Sequence, residues 1–255
     1  MTEPVTTSLE GGVLTIAFCR PEKKNALTDA MYKTIADAMD EALADPAVRV
    51  LFFRGEGDSF SAGNDINDFL SIAMGGGGGM NVFRVLKGLA QFDKPIVAAV
   101  KGAAVGIGTT LLLNSDLVFV AEDAKLSTPF VNLALAPEAA STILLPMAIG
   151  HQRAFAMFAL GEVLSGRQAA DWGIANKALP ADEVDAAGLA AAQALAARAP
   201  RSVQLTKRLM RDGARLWAQM ERENEAFGSQ LTSAEAREAF TAFMEKRAPD
   251  FSKAS

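Results

Sequence analysis

One stretch of the chain places a single carboxylate among apolar and small residues. It runs Thr128-Pro-Phe-Val-Asn-Leu-Ala-Leu-Ala-Pro-Glu138. Burial near apolar groups lifts a glutamate pKa towards neutrality, which suits Glu138 for general base chemistry. A second reading fits the same residues. Glu138 follows Pro137 and precedes Ala139-Ala140-Ser141, as an acid in the first turn of a helix would. Two small-residue turns stand elsewhere, Ser61-Ala62-Gly63 after a strand and Gly106-Ile107-Gly108 before a helix. Each offers a backbone N–H, and together they could form a hole for a developing oxyanion. Each is also explained by plain turn chemistry. The second turn lacks the third glycine of a dinucleotide fingerprint, and it has no lysine of a nucleotide loop.

The rest of the composition narrows the chemistry. The chain has 255 residues, half of them hydrophobic, enough for one large domain or a core with an appendage. Its one histidine, His151, excludes a multi-histidine metal site and sits in a helix-junction context unsuited to a Ser-His-Asp triad. Its one cysteine, Cys19, excludes an intrachain disulfide and reads as a small core residue. Neither metal nor redox cofactor is called for. The net charge of −5 gives no general attraction for nucleic acid or anionic membrane. No apolar run reaches the roughly 20 residues of a membrane helix. Neither a signal peptide nor the usual peroxisomal ending is evident, so the expected location is cytoplasmic.

The elements that must hold these residues follow from periodicity. Residues 5–9 and 13–18 read as a hairpin around Gly11-Gly12. Thr28 caps a helix to about Leu43, with Met31, Ile35, Ala38, Met39 and Ala42 on one face. Strands are expected at 48–53, 96–100, 117–121, 125–127 and 174–179, with helices at 80–92 and 109–114. Asn64 to Ala73 begins a helix, and the glycine run 75–79 reads as a mobile surface loop. The recurring β-α-β order implies a layered α/β core with parallel strands. From Ala139 onward the pattern is helical: 139–149, 151–160, 165–172, 182–198, 200–213, 214–229 and 233–246. The shift to Ala-rich helices divides the chain into a core, residues 1–198, and a C-terminal helical subdomain, residues 199–255.

Several stretches, in this order, resemble the enoyl-CoA hydratase/isomerase (crotonase) superfamily. They are Arg20-Pro21 with Asn25-Ala26-Leu27, Phe60-Ser-Ala-Gly-Asn-Asp-Ile66, Lys94-Pro-Ile-Val-Ala-Ala-Val100 with Gly102, and Val105-Gly-Ile-Gly108. Leu164-Ser165-Gly166, Ala169, Gly173, Lys207 and Phe243-Met-Glu-Lys-Arg247 follow. The resemblance implies a ββα spiral core and a helical trimerisation tail, giving homotrimers or hexamers. It implies an acyl-CoA thioester substrate in fatty acid metabolism, with coenzyme A as part of the substrate. By the same resemblance the N–H groups of Ala62 and Ile107 hold the thioester oxygen. Ala62, Gly63, Asn64, Asp65 and Ile66 line the acyl-CoA site, with Phe130 and Leu133 as an apolar wall. Lys23 and Lys24 approach the CoA nucleotide, and Lys246 a neighbour's phosphates. Hydratases of this family use two glutamates, and Thr110 and Phe130 stand at the matching positions. The pattern from Thr128 to Glu138 is closest to the peroxisomal-type Δ3,Δ2-enoyl-CoA isomerases, whose single catalytic glutamate falls at Glu138. The expected reaction moves a 3-enoyl double bond to the 2-trans position. The alternatives are a hydratase or another acyl-CoA transformer using Asp65 or Asp68, and a non-catalytic acyl-CoA binder.

Overall fold

The structure is a computed structural model that describes residues 3–68 and 80–253. The glycine run 75–79 and the later part of the helix expected at 64–73 lie outside the described residues. The strands form two sheets. Strands β1 (Val5–Glu10), β2 (Val13–Phe18), β3 (Val50–Gly55), β4 (Ile96–Val100), β6 (Leu117–Ala121) and β9 (Lys177–Leu179) form the larger, in the order β1-β2-β3-β4-β6-β9. Strands β5 (Ala103–Val105), β7 (Lys125–Ser127) and β8 (Leu164–Ser165) form the smaller.

The hairpin of β1 and β2 is antiparallel, and every later pairing in the large sheet is parallel. Phe53 faces Ala98 across β3 and β4, and Val100 faces Val120 across β4 and β6. A parallel sheet covered on both faces needs continuous apolar strands, and Ile96 to Val100 are all fully buried. β5 and β8, three and two residues long, carry too few residues for any periodicity to show.

The helices are α1 (Asp29–Ala44), α2 (Met80–Gln91), α3 (Ile107–Leu113), α4 (Ser141–Ile149), α5 (His151–Phe155) and α6 (Gly166–Trp172). They continue with α7 (Val184–Ala196), α8 (Pro200–Met210), α9 (Gly213–Leu231) and α10 (Ala234–Met244). Thr28 caps α1 through the Met31 N–H, as its position suggests. The helix expected over 151–160 changes to a π-helical turn at Ala156–Leu160.

The C-terminal helices are anchored in the core. Leu216 and Met220 of α9 belong to the main apolar cluster. Leu231, Ala236 and Phe240 form a second cluster with Phe130 and Leu135. Lys207 of α8 is buried and donates to the Asp116 carboxylate at 2.7 Å and the Lys94 carbonyl at 2.8 Å. A buried ammonium needs such partners, and they fasten α8 to the start of β4.

Candidate active site

Loop 20–27 is built around Asn25, which is wholly buried in a left-handed conformation (φ 54°). Its side chain donates to the carbonyls of Glu56 (2.9 Å) and Ser59 (2.7 Å) and accepts from the Arg20 N–H (2.8 Å). One amide thus satisfies three backbone groups that would otherwise be buried without partners. The loop is thereby pinned beside the first small-residue turn.

The two small-residue turns meet backbone on backbone. Ser61 bridges Ala104, and the Val105 N–H donates to the Ser61 carbonyl at 2.9 Å. A Cβ on Gly63 would come within 2.7 Å of the Val105 carbonyl, and one on Gly108 within 2.9 Å of the Ser61 carbonyl. Gly63 also has a φ of +87°, so only glycine fits there without strain. The glycines therefore have a packing reason that brings the turns together.

The amides in this corner do not all remain free. The Ala62 N–H, expected as an oxyanion donor, donates to the Lys24 carbonyl at 2.8 Å. The Gly63 N–H goes to Ser61 Oγ at 3.1 Å, and the Asp65 N–H to the Leu27 carbonyl at 2.9 Å. Leu27 pairs with Asn64 in a parallel bridge, bonding to the residues on either side of it. Backbone groups alternate in direction along an extended segment, so the Asn64 N–H points away from Leu27. The structure thus moves the first available donor from Ala62 to Asn64. Ile107 opens α3, and first-turn N–H groups have no acceptor within their own helix.

Glu138 is buried, with 4% of its surface exposed. Thr110 Oγ1 in α3 donates to its Oε1 at 3.2 Å. Burial, assisted by the charge of Glu223, pushes its pKa up to about 7, and the Thr110 hydroxyl only partly opposes this. At neutral pH both protonation states are therefore populated, which suits a group that takes a proton and returns it. The Tyr32 hydroxyl donates to Asn64 Oδ1. Burial and then the Glu138 charge hold that phenol well above its ordinary pKa, so it stays protonated.

The backbone after Glu138 is held in an uncommon shape. Ala139 (φ 61°) and Ala140 (φ 57°) are both left-handed, which costs about 1 kcal/mol each for an L-residue. Asn114 at the end of α3 donates to the carbonyls of Ala139 (2.9 Å) and Thr110 (3.1 Å). Arg211 in turn donates to the Asn114 carbonyl at 3.0 Å and to its side-chain oxygen. On the other side, Glu223 of α9 accepts from the N–H groups of Ala140 (2.6 Å) and Thr142 (3.1 Å) and from the Thr142 hydroxyl. None of Asn114, Arg211, Glu223 and Tyr32 was expected from the sequence as part of the site. A signal for Glu223 existed: 216, 220, 223, 227 and 231 fall on one helical stripe, and Glu223 is the only charged residue among them.

A cleft of about 480 Å³ opens beside the turns. Of the residues expected to bind substrate, Ala62, Gly63, Asn64, Ile66, Phe130 and Leu133 line it. Its far wall comes from the tail, through Phe227, Ala239, Phe243 and Arg247. Lys23, Lys24 and Lys246 are exposed and lie outside this lining. Glu138 and Ile107 are buried and are not among the residues that line it. The spare carboxylates are committed elsewhere. Asp65 pairs with Arg20 at 2.6 Å; burial alone would raise its pKa, but Arg20 and Asn67 hold it below the usual carboxylate range. Asp68 accepts from the Asp29 N–H at 2.9 Å, at the start of α1.

Two small-residue turns joined backbone to backbone, a buried carboxylate and an apolar cleft fit the crotonase class of acyl-CoA enzymes that the sequence resembles. The chain belongs to the enoyl-CoA hydratase/isomerase family, whose model matches residues 8–254. It is 32% identical to 1,2-epoxyphenylacetyl-CoA isomerase of Escherichia coli (strain K12), over 98% of this chain and 99% of that protein. It is also 32% identical to enoyl-CoA delta isomerase 2 of Rattus norvegicus, over 95% of this chain and 64% of the rat protein. Relatives of comparable similarity bear hydratase names. The fold matches the crystal structure of an enoyl-CoA hydratase/isomerase from Pseudoalteromonas atlantica T6c with a TM-score of 0.92 and 39% identity, covering 98% of this chain and all of that one. The spiral core and helical tail expected from the sequence are thus those of the family. Among the described residues, no helix is long and apolar enough to cross a membrane.

Proposed function

We propose that the protein is a Δ3,Δ2-enoyl-CoA isomerase in which Glu138 is the acid–base group. The observation that carries this reading is the state of Glu138. It is a buried carboxylate whose donor among the described residues is one neutral hydroxyl, and it is balanced near neutrality. The family relationship supplies the substrate class, an acyl-CoA thioester. The thioester oxygen lies between the N–H groups of Asn64 and Ile107, and Glu138 faces C2 and C4 of the acyl chain. Glu138 removes a proton from C2 of the 3-enoyl group, and the electron pair spreads over the dienolate towards the thioester oxygen. The two fixed amides favour that charge, and one such donor contributes a factor of about 10² to 10³ in rate. Glu138 then returns the proton to C4, which leaves the double bond between C2 and C3. Water and electrons are conserved, so one carboxyl group suffices.

The positions that carry the hydratases' two glutamates by resemblance hold Thr110 and Phe130 here. With Asp65 and Asp68 already paired, water addition lacks a second carboxylate. Assembly as a homotrimer or a hexamer belongs to the same reading, as does binding of the CoA nucleotide by Lys23, Lys24 and Lys246.

The test is product analysis of purified protein on 3-hexenoyl-CoA and 2-hexenoyl-CoA, with wild type and Glu138→Gln. The expected result is conversion of the first to the 2-trans-enoyl product, reduced by about 10² to 10⁴ in the variant. Hydration of 2-hexenoyl-CoA at a comparable rate, unaffected by Glu138→Gln, would overturn the reading.

A further inference from the structure

Glu223 lies 85 positions after Glu138, on helix α9, yet it contacts the turn that follows Glu138. Helix α4 starts three residues after Glu138, and its cap position is Ala140, which has no side chain able to cap. Its first N–H groups have no acceptor within the helix and need one elsewhere. Both Glu223 oxygens supply them, one to Ala140 and the other to Thr142. Gln219, one turn earlier on α9, donates to the Thr142 hydroxyl at 2.9 Å, so that hydroxyl is free to donate to Glu223. Burial raises the Glu223 pKa, but donors to both oxygens favour its ionised form, and a negative charge at a helix N-terminus is favourable. Asn114 fastens the Ala139 carbonyl from the opposite side, and also the helical turn that carries Thr110. The peptide that joins the left-handed pair Ala139–Ala140 is therefore held at both ends, its carbonyl by Asn114 and its N–H by Glu223. Its geometry sets where the Glu138 side chain emerges.

We infer that Glu223 is a positioning residue for the acid–base group, holding the turn that aims Glu138 from the C-terminal helix α9. The inference rests on the isomerase reading for its kinetic part only. It gives the tail a part in the chemistry of its own subunit, distinct from any part in assembly. The titratable groups that bear on Glu138 are Glu223 from α9 and Tyr32 from α1. Tyr32 stays neutral across the working range, so removal of the Glu223 charge leaves Glu138 easier to ionise.

The experiment compares wild type, Glu223→Gln and Thr142→Val in kcat, KM and the pH profile of kcat. It also follows the Glu138 carboxyl by ¹³C NMR titration of the free protein. Glutamine keeps the volume but turns an N–H₂ group towards one of the three donors. Glu223→Gln should lower kcat by about 10- to 100-fold, leave KM within about twofold, and move the acid limb and the Glu138 midpoint to lower pH. Thr142→Val keeps the charge and both amide contacts, so it should lower kcat by a few fold with the limb in place. A folded Glu223→Gln protein with wild-type kcat and midpoint overturns the inference. If that variant does not fold, wild-type kcat in Thr142→Val overturns it instead. If wild type shows no isomerase activity, the isomerase reading fails by itself. The NMR midpoint then decides: unchanged in Glu223→Gln, it overturns the inference too.

Discussion

Glu138 and Glu223 are buried to the same extent, 4% exposed each, and burial pushes both carboxyls above their ordinary pKa. What differs is the number of donors. Glu223 accepts from two backbone N–H groups and a hydroxyl, and these oppose the effect of burial. Among the described residues, Glu138 accepts from one hydroxyl, at 3.2 Å. A carboxylate held by three donors is a structural part, its ionised form favoured by them against the effect of burial. One with a single weak donor is left dependent on its proton. The two regions show how one side chain serves as a clamp or as a reactive group, depending on the donors its neighbours present.

The largest effect should appear in stability, with opposite signs for the two residues. Raising the Glu138 pKa from 4.5 to about 7 means that the folded protein binds its proton more tightly than the unfolded chain. The stability this contributes is fully present below pH 4.5 and is lost as pH rises through about 7. The loss is about 3 kcal/mol, at about 1.4 kcal/mol for each tenfold change in proton affinity. Glu138→Gln escapes it. By chemical denaturation the variant should exceed wild type by up to about 3 kcal/mol at pH 8 and match it near pH 4. No gain at pH 8 would mean that Glu138 is not strained by its charge, and the comparison would collapse. Glu223→Gln should destabilise at pH 8 by about 2 kcal/mol, because it leaves a buried donor unpaired at the start of α4. At 2–4 °C per kcal/mol for a chain of this size, that is a fall of about 4–8 °C in Tm. If both variants moved stability in the same direction, donor count would not be what separates the two carboxylates.

Much of the architecture could be read from local pattern. Long strands such as Ile96–Val100 and the capped helix α1 follow from apolar continuity and from Thr28. The family motifs marked both small-residue turns and Glu138. What escaped was whatever depends on partners far away in the chain. Nothing in Phe60 to Ile66 tells that the Ala62 N–H is taken by the Lys24 carbonyl. That bond exists because Asn25 pins loop 20–27 to the backbone of Glu56 and Ser59. A motif identifies a turn, but which of its amides stays free depends on the loop packed beside it. Glu223 escaped for a different reason. Its place on the apolar stripe of α9 was visible, but the groups that donate to it lie at the start of α4, about eighty residues earlier. Only the fold shows that it caps a helix whose own cap position is an alanine.

The smallest expected effect is also the finest probe of the donor argument. Thr110 is fully buried, so Thr110→Val keeps the shape and removes only the hydroxyl. That hydroxyl favours the ionised form of Glu138. Without it the carboxyl becomes harder to ionise, and the acid limb of the kcat profile moves to higher pH. At pH 7 the rate should fall by about threefold to tenfold, in keeping with a long hydrogen bond to a charged group. Near pH 9 most of the loss should disappear, because Glu138 ionises there in both proteins. The direction is opposite to that expected for Glu223→Gln, where a negative neighbour is removed and the limb moves down. Stopped-flow or steady-state rates across pH 5.5 to 9 would separate the two. A limb that moved down in Thr110→Val would mean that the hydroxyl accepts from a protonated Glu138 rather than donating to an ionised one. The carboxyl would then rest as an acid, and the proton it needs to remove first could not be taken until another group had relieved it of its own.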